Sequence, residues 1–365
     1  MPRLFDPLTI RSVTFPNRLF VSPMCEYSSE DGFANAWHLV HLGSRAVGGA
    51  GLVFTEATAV TPAGRISPQD LGIWKDEHVD MLSRIVRFLH TQGSVSGMQL
   101  AHAGRKASTY RPWSGSGRIP ELEGGWRNVL APSPEPFADN YPLPIEMTPR
   151  MISTTVAAFR DAAGRALKAG FRVLEIHAAH GYLLHEFLSP LSNRRRDDYG
   201  GPFENRTRLL REVVAAVREA WPQELPLFIR ISATDWVEGG WDIDQSVELA
   251  KALKPLGVDV VDCSSGGNIA QAKIPLGPGY QVPLAERIRK DADILTGAVG
   301  LITSAAQAED IVSSGRADAV FLARELLRDP YFPMRAAGEL GQEITWPAQY
   351  LRAAPHGAKP RQAIF

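Results

Sequence analysis

Short apolar runs recur along the chain, separated by stretches in which apolar residues return every three or four positions. The runs fall at 18–24, 51–60, 96–104, 173–177, 227–232, 258–264, 293–300 and 319–323. Continuous apolar character bounded by Gly, Pro or Asn predicts strands buried on both faces, as in a parallel sheet. Between them, 35–48, 76–92, 148–168, 204–220, 244–254, 281–290, 303–314 and 330–339 read as helices. In 76–92, for example, Met81, Leu82, Ile85, Phe88 and Leu89 lie near one stripe. Strand–helix alternation argues for a parallel α/β sheet, and eight units argue for a closed (β/α)8 TIM barrel. The alternative is an open doubly wound sheet, but no Gly-x-Gly-x-x-Gly follows the first strand.

Two segments break the rhythm. Residues 1–17 read as an extended N-terminal lid ended by Pro16 and Asn17. Residues 105–147, after the third strand, are rich in Pro, Gly and Trp and lack a period; an excursion this long is usually a lid or binding loop. The expectation is one barrel domain over 1–365, with this excursion and a C-terminal tail over 340–365.

Composition narrows the function classes. The 365 residues are 44% hydrophobic and 22% charged, enough for a large core. A net charge of −1 gives no electrostatic case for nucleic acid or an acidic membrane surface. No apolar run approaches the roughly 20 residues that span a bilayer. The N-terminal Met-Pro-Arg-Leu-Phe-Asp lacks the build of a signal peptide, and the two cysteines, Cys25 and Cys263, form no disulfide framework, so a cytoplasmic location is expected. Two cysteines also cannot supply a four-thiolate iron–sulfur site.

Barrel active sites lie at the C-terminal strand ends. There the chain places Ser22, Pro23, Met24, Cys25 and Tyr27, then Ala57, then Gln99 with His102, then His177, His180 and Tyr182. Arg230, Ser264 to Gly267, Gly300, Ala323 and Arg324 follow. Strand alternation turns Val173, Glu175 and His177 to one face, and Gly181 permits a sharp turn. Two imidazoles able to donate to an oxygen and one phenol able to deliver a proton therefore crowd one strand end. His177 and His180, with His102, also suggest metal ligands, but their spacing suits a helix and no carboxylate or thiolate completes the set. His38 and His41 read as structural. Arg230 shares a face with Phe228 and Ser232 and points inward, either paired with Glu175 or beside a bound anion. Ser304 and Gln307 have capping-box spacing, and the N–H groups near Gly300 and Ala323-Arg324 fit a barrel phosphate site.

Taken together, these residues resemble the old yellow enzyme family of FMN-dependent ene-reductases, in particular its bacterial thermophilic-like, xenobiotic reductase A branch. The resemblance covers essentially the whole chain. It rests on Ser22-Pro-Met-Cys-Glu-Tyr27, Gln99-Leu-Ala-His-Ala-Gly-Arg-Lys106, His177-Ala-Ala-His-Gly-Tyr182, and the highly specific run from Leu188 to Arg206. Glu26 departs from the branch, which usually has Gln there; Trp236 stands in a loop of variable aromatic identity.

The resemblance implies noncovalent FMN over the barrel mouth, NADPH or NADH as reductant, and enones, enals or nitro compounds as substrates. Ser22, Pro23, Met24 and Cys25 would line the isoalloxazine, with Cys25 tuning it. Ala57 and Gln99 would meet its edge, and Arg230 its N1 and O2. Gly300, Leu301, Ala323 and Arg324 would surround the phosphate. His177, also against the cofactor, and His180 would bind the substrate's carbonyl oxygen, flanked by Tyr27 and Tyr182. Hydride from flavin N5 would be matched by a proton from Tyr182. Trp346-Pro-Ala-Gln-Tyr-Leu-Arg352 matches the branch's Pro-x-Gln-Tyr-x-Arg pattern, so Arg352 is expected near Tyr27 of a neighbouring subunit in a homodimer or homotetramer.

Competing readings differ in what they require. A 2,4-dienoyl-CoA reductase needs an iron–sulfur cluster and a further domain. An aldolase or lyase acting on a phosphorylated metabolite needs a strand-end lysine, and only Lys106 is near one. A metal-dependent hydrolase would use His102, His177 and His180.

Overall fold

The computed structural model describes residues 3–356 and the backbone of 359–362. Eight parallel strands close into a barrel. They are β1 (Leu19–Val21), β2 (Leu52–Ala59), β3 (Val95–Ala101), β4 (Val173–Ala178), β5 (Leu227–Ser232), β6 (Val260–Ser264), β7 (Leu295–Ala298) and β8 (Ala319–Leu322). Each pairs with the next, and β8 returns to β1 through Val320↔Leu19 and Leu322↔Val21. The helices are α1 (Ala36–Val47), α2 (Val79–Thr91), α3 (Pro149–Ala169), α4 (Arg208–Ala220), α5 (Ile243–Leu253), α6 (Val282–Ala292), α7 (Ala305–Ser313) and α8 (Phe332–Glu339). Their starts follow from local chemistry: the side chains of Asn35, Thr148, Asp242 and Ser304 accept backbone N–H bonds at α1, α3, α5 and α7. Gly170 ends α3 at φ 91°, a conformation glycine adopts without strain.

The lower barrel interior is aromatic. Phe20, Phe54, Phe228 and Phe321 meet with ring centroids 5.4 to 6.2 Å apart, and Phe15 joins them 5.0 Å from Phe20. Gly97 on β3 and Gly297 on β7 make the room, since a Cβ there would run into Phe54 and Phe321.

The N-terminal segment does not cover the mouth, which corrects the expectation of a lid there. Leu8–Ile10 and Val13–Phe15 form an antiparallel hairpin at the opposite end. Ser12 N–H donates to Glu224 O at 3.0 Å and Arg11 Nε to Asp259 at 2.7 Å; both partners precede strands, β5 and β6. Leu8, Ile10, Val13 and Phe15 are buried while Thr9 and Thr14 face out, so the hairpin needs an apolar seat, and the aromatic floor provides one.

The 105–147 excursion has short turns at Gly104–Lys106 and Glu121–Glu123 and one two-residue strand pair, Leu130–Ala131 with Ile145–Glu146. Short helices at Leu183–Leu188, Phe203–Arg206 and Arg324–Arg328 interrupt stretches read as loop or as part of a longer helix. In the tail, Glu343–Trp346 pairs parallel with Lys359–Gln362. Residues 1, 2, 357, 358 and 363–365 lie outside the described residues, so only part of the expected 340–365 tail is described, Arg352 included. Among the described residues, no helix is long and apolar enough to cross a membrane.

Candidate active site

Above the aromatic layer the inward side chains turn polar. Register places Gln99 beside Glu175, and His177 beside Arg230 beside Asp262. Gln99 Nε2 donates to Glu175 Oε1 at 2.7 Å, and Arg230 Nε lies 3.1 Å from Asp262 Oδ2. The ion partner of Arg230 is therefore Asp262 rather than Glu175. Burial pushes both carboxyls up, Asp262 to about 6, while the Arg230 charge pulls each down. Asp262 escaped the sequence reading, although it keeps the inward phase of Val260 and Ser264 on β6. Beside the Arg230–Asp262 ion pair, Ser22 Oγ, Glu175 Oε2 and Asp262 Oδ1 are buried without hydrogen-bond partners among the described residues. Such atoms are costly unless a ligand or water meets them. A flat ring system with heteroatoms on its edge fits this layer.

β4 delivers the histidines. Its last turn is left-handed, with His180 at φ 59° and Gly181 at φ 68°. Only glycine fits at 181, because a Cβ would strike the Gly267 carbonyl oxygen. The turn is tied down at each residue: His180 N–H donates to Ser232 Oγ at 2.9 Å, and Gly181 N–H to His185 Nδ1 at 2.9 Å. The His177 ring stands edge-on to His180, with centroids 5.2 Å apart, and to Tyr182, with centroids 5.0 Å apart. Ala179 N–H donates to His177 Nδ1 at 3.2 Å, so the neutral ring carries its proton on Nε2. His180 Nε2 is 2.7 Å from Ser264 Oγ, which commits that nitrogen within the protein. Burial, reinforced by Arg230, holds both imidazoles well below the usual histidine range, and burial raises the Tyr182 phenol well above its own. At neutral pH the cluster is two neutral imidazoles and a protonated phenol.

Cys25 and Tyr27 follow β1, Tyr27 at φ 47°. Burial, then the Asp70 and Glu56 charges, push the Cys25 thiol well up, which opposes thiolate chemistry. Glu26 turns away to α1, where Trp37 Nε1 donates to it at 3.0 Å and His41 Nε2 lies 3.2 Å away. His38 Nε2 lies 3.1 Å from Glu56. Both histidines thus brace the loop, in keeping with a structural reading. Ala57 follows an irregularity in β2 between Phe54 and Ala57. Ile66, Ala103, Ala107 and Val129 form a separate apolar cluster on which Cys25, Tyr27, Trp126 and Tyr182 pack.

Gly300, Leu301, Ala323 and Arg324 do converge, around a cavity of about 200 Å³. Gly300 has φ 117°, and a Cβ on it would meet Gln281 Nε2 at 2.8 Å and the Tyr280 ring at 3.0 Å. Gln281 is fixed by Val299 O at 3.1 Å and Ser265 Oγ at 2.6 Å. Tyr280, Gln281 and Arg328 line this cavity too, and sequence reasoning missed them; the i, i+4 spacing of Arg324 and Arg328 was the available signal. Glu325, also in the lining, is offset by Arg328 at 2.5 Å. The space, its arginines and its tight backbone suit a phosphate group.

Other candidates stand apart. Burial lowers Lys106 to about 7, but its Nζ donates to His180 O at 2.8 Å and to Gly267 O, so it serves as a brace rather than a free amine. Among the described residues, no group of three or more His, Cys, Asp or Glu is placed to hold a metal ion. A larger cavity, about 590 Å³, lies between α8 and the tail, but its Arg335 is paired with Asp329 and Glu339 and it holds none of the residues above. Arg352 is exposed on the turn Ala348–Ala353, whose Tyr350 hydroxyl is 3.5 Å from that of Tyr331.

The sequence pattern of the NADH:flavin oxidoreductase / NADH oxidase family matches residues 3–343. The NADPH dehydrogenase of Bacillus velezensis is 51% identical, over 96% of this chain and 99% of that one. Among solved structures, morphinone reductase superposes with a TM-score of 0.78 at 28% identity, covering 94% of this chain and 91% of its own. The old yellow enzyme homologue of Zymomonas mobilis gives 0.76 at 27% identity, with 92% of each chain covered.

Proposed function

The chain belongs to the NADH:flavin oxidoreductase / NADH oxidase family, the old-yellow-enzyme-like oxidoreductases that use FMN and NAD(P)H, and from that premise we propose that it reduces the activated C=C bond of enones, enals and related nitro compounds. FMN, when bound, supplies the hydride transfer that links nicotinamide to substrate. The buried unpaired hydroxyl of Ser22 and the Arg230 guanidinium, with Gln99, Ala57, Pro23, Met24 and Cys25, would hold the ring system. Gly300, Leu301, Ala323 and Arg324 would hold its phosphate.

The observation that carries the proposal is the neutral His177 with its Nε2–H directed away from Ala179, 5.0 Å ring to ring from a protonated Tyr182. As the β-carbon of an enone is reduced, negative charge gathers on the carbonyl oxygen. A preorganised N–H donor stabilises that oxygen without reorganisation, as in an oxyanion hole. His180 would position the same oxygen, anchored by Ser264. Tyr182 would give its proton to the α-carbon, acting as general acid. Arg352 of a neighbouring subunit would complete the pocket in a homodimer or homotetramer, with Tyr27 on the facing wall.

Anaerobic titration tests this reading. The purified yellow protein should bleach with NADPH or NADH and regain its colour when 2-cyclohexenone is added. Bleaching without recovery by any enone would sink the substrate class while leaving the oxidoreductase intact.

A further inference from the structure

The excursion places a second aromatic residue against the candidate site. The Trp113 ring lies edge-on to Tyr27, with centroids 5.8 Å apart and planes at 78°. Its loop is pinned rather than loose. Tyr110 N–H donates to Gly117 O at 3.0 Å, Arg118 N–H to Asn140 O at 2.8 Å, and Ile119 N–H to Ser108 O at 2.9 Å. Arg111 covers another part of the indole, its Cζ 5.4 Å from the ring, and is itself held by Ser114 Oγ at 2.8 Å. Yet Trp113 remains 63% exposed. Trp126, from the same excursion, packs on the apolar cluster that seats Tyr27 and Tyr182, and its indole N–H is buried without a partner among the described residues. A large aromatic ring that is oriented from two sides and left open to water offers apolar area that a ligand can cover.

We propose that Trp113 is a specificity-determining residue that extends the site outward and favours carbonyl substrates bearing a flat apolar substituent beyond the reacting double bond. The proposal rests on the ene-reductase reading above and adds the substituent class. A small cyclic enone is too short to gain much from the indole, whereas an aryl group on the β-carbon gains a stacking surface. Binding energy of this kind appears mainly in KM, because it is present in the ground state and the transition state alike.

The test compares 4-phenylbut-3-en-2-one with 2-cyclohexenone on the FMN-loaded enzyme. Trp113→Ala should lower the ratio of the two kcat/KM values by about 3- to 10-fold, the range of one aromatic contact, through KM. Trp113→Phe should recover most of that ratio. Flavin absorbance per chain should match the parent; if the alanine variant loses flavin, Trp113→Leu is read by the same ratio. An unmoved ratio, or an equal loss of kcat for both substrates, overturns the role of Trp113. If the parent reduces neither enone, the ene-reductase reading falls first; if it reduces both and the ratio holds, only this inference falls.

Discussion

A histidine almost wholly buried beside an arginine does not keep a proton at neutral pH, and this fixes what His177 can do. In the proposed reaction it would act as a hydrogen-bond donor, not an acid, and the general acid would come from elsewhere in the cluster. His177→Ala should therefore slow reoxidation by enones by about 100-fold, since one such donor is typically worth roughly 3 kcal/mol. Reduction by NADPH should suffer less. Stopped-flow measurement of the two half-reactions separates them, and equal losses in both would contradict the assignment. Tyr182→Phe keeps the ring and removes the proton, so enone reduction should drop by roughly 10- to 10⁴-fold with FMN retained. Because burial raises the Tyr182 phenol above its ordinary value, it stays protonated to higher pH than a free tyrosine. The enone half-reaction should accordingly hold its rate through pH 10, and a fall centred well below that would assign the proton elsewhere. The sequence made His177, His180 and Tyr182 visible because they sit within one short strand-to-turn stretch. It hid the pairing of Arg230 with Asp262, because that contact depends on the register between β5 and β6 and not on any spacing along the chain.

At the scale of elements, the turn after β4 shows how narrow the tolerance is. Gly181 lies backbone to backbone with Gly267, at a positive φ, and its N–H is held by His185. Gly181→Ala should cost at least about 1–2 kcal/mol from the left-handed conformation alone, with the collision adding to it. A thermal melt should show a lower Tm, and enone turnover should fall more than NADPH oxidation as the histidines are displaced. An unchanged Tm would mean that the loop carrying Gly267 yields easily. The eight strands and their helices were legible because apolar period is a local property. The N-terminal hairpin was misplaced for the complementary reason: its alternation is plain in Leu8, Ile10, Val13 and Phe15, but nothing local states which end of a barrel will offer the apolar seat. The short helix Leu183–Leu188 escaped notice because its six residues are all buried and so display no stripe.

For the whole molecule, the C-terminal tail carries the expectation that one chain is not enough. Deletion of 346–365 should raise the KM for enones and lower the mass found by sedimentation. Unaltered kinetics in the truncated enzyme would refute a shared site. The barrel itself constrains traffic. Phe15 and the hairpin stop its floor, and the phenylalanine layer above them leaves no passage through the axis. If enones are the substrates, nicotinamide and enone would then both enter from the mouth, and a single doorway there would make them take turns. A molecule that wedges in that doorway should compete with both, and an inhibitor competitive against only one of them would reveal a second entrance.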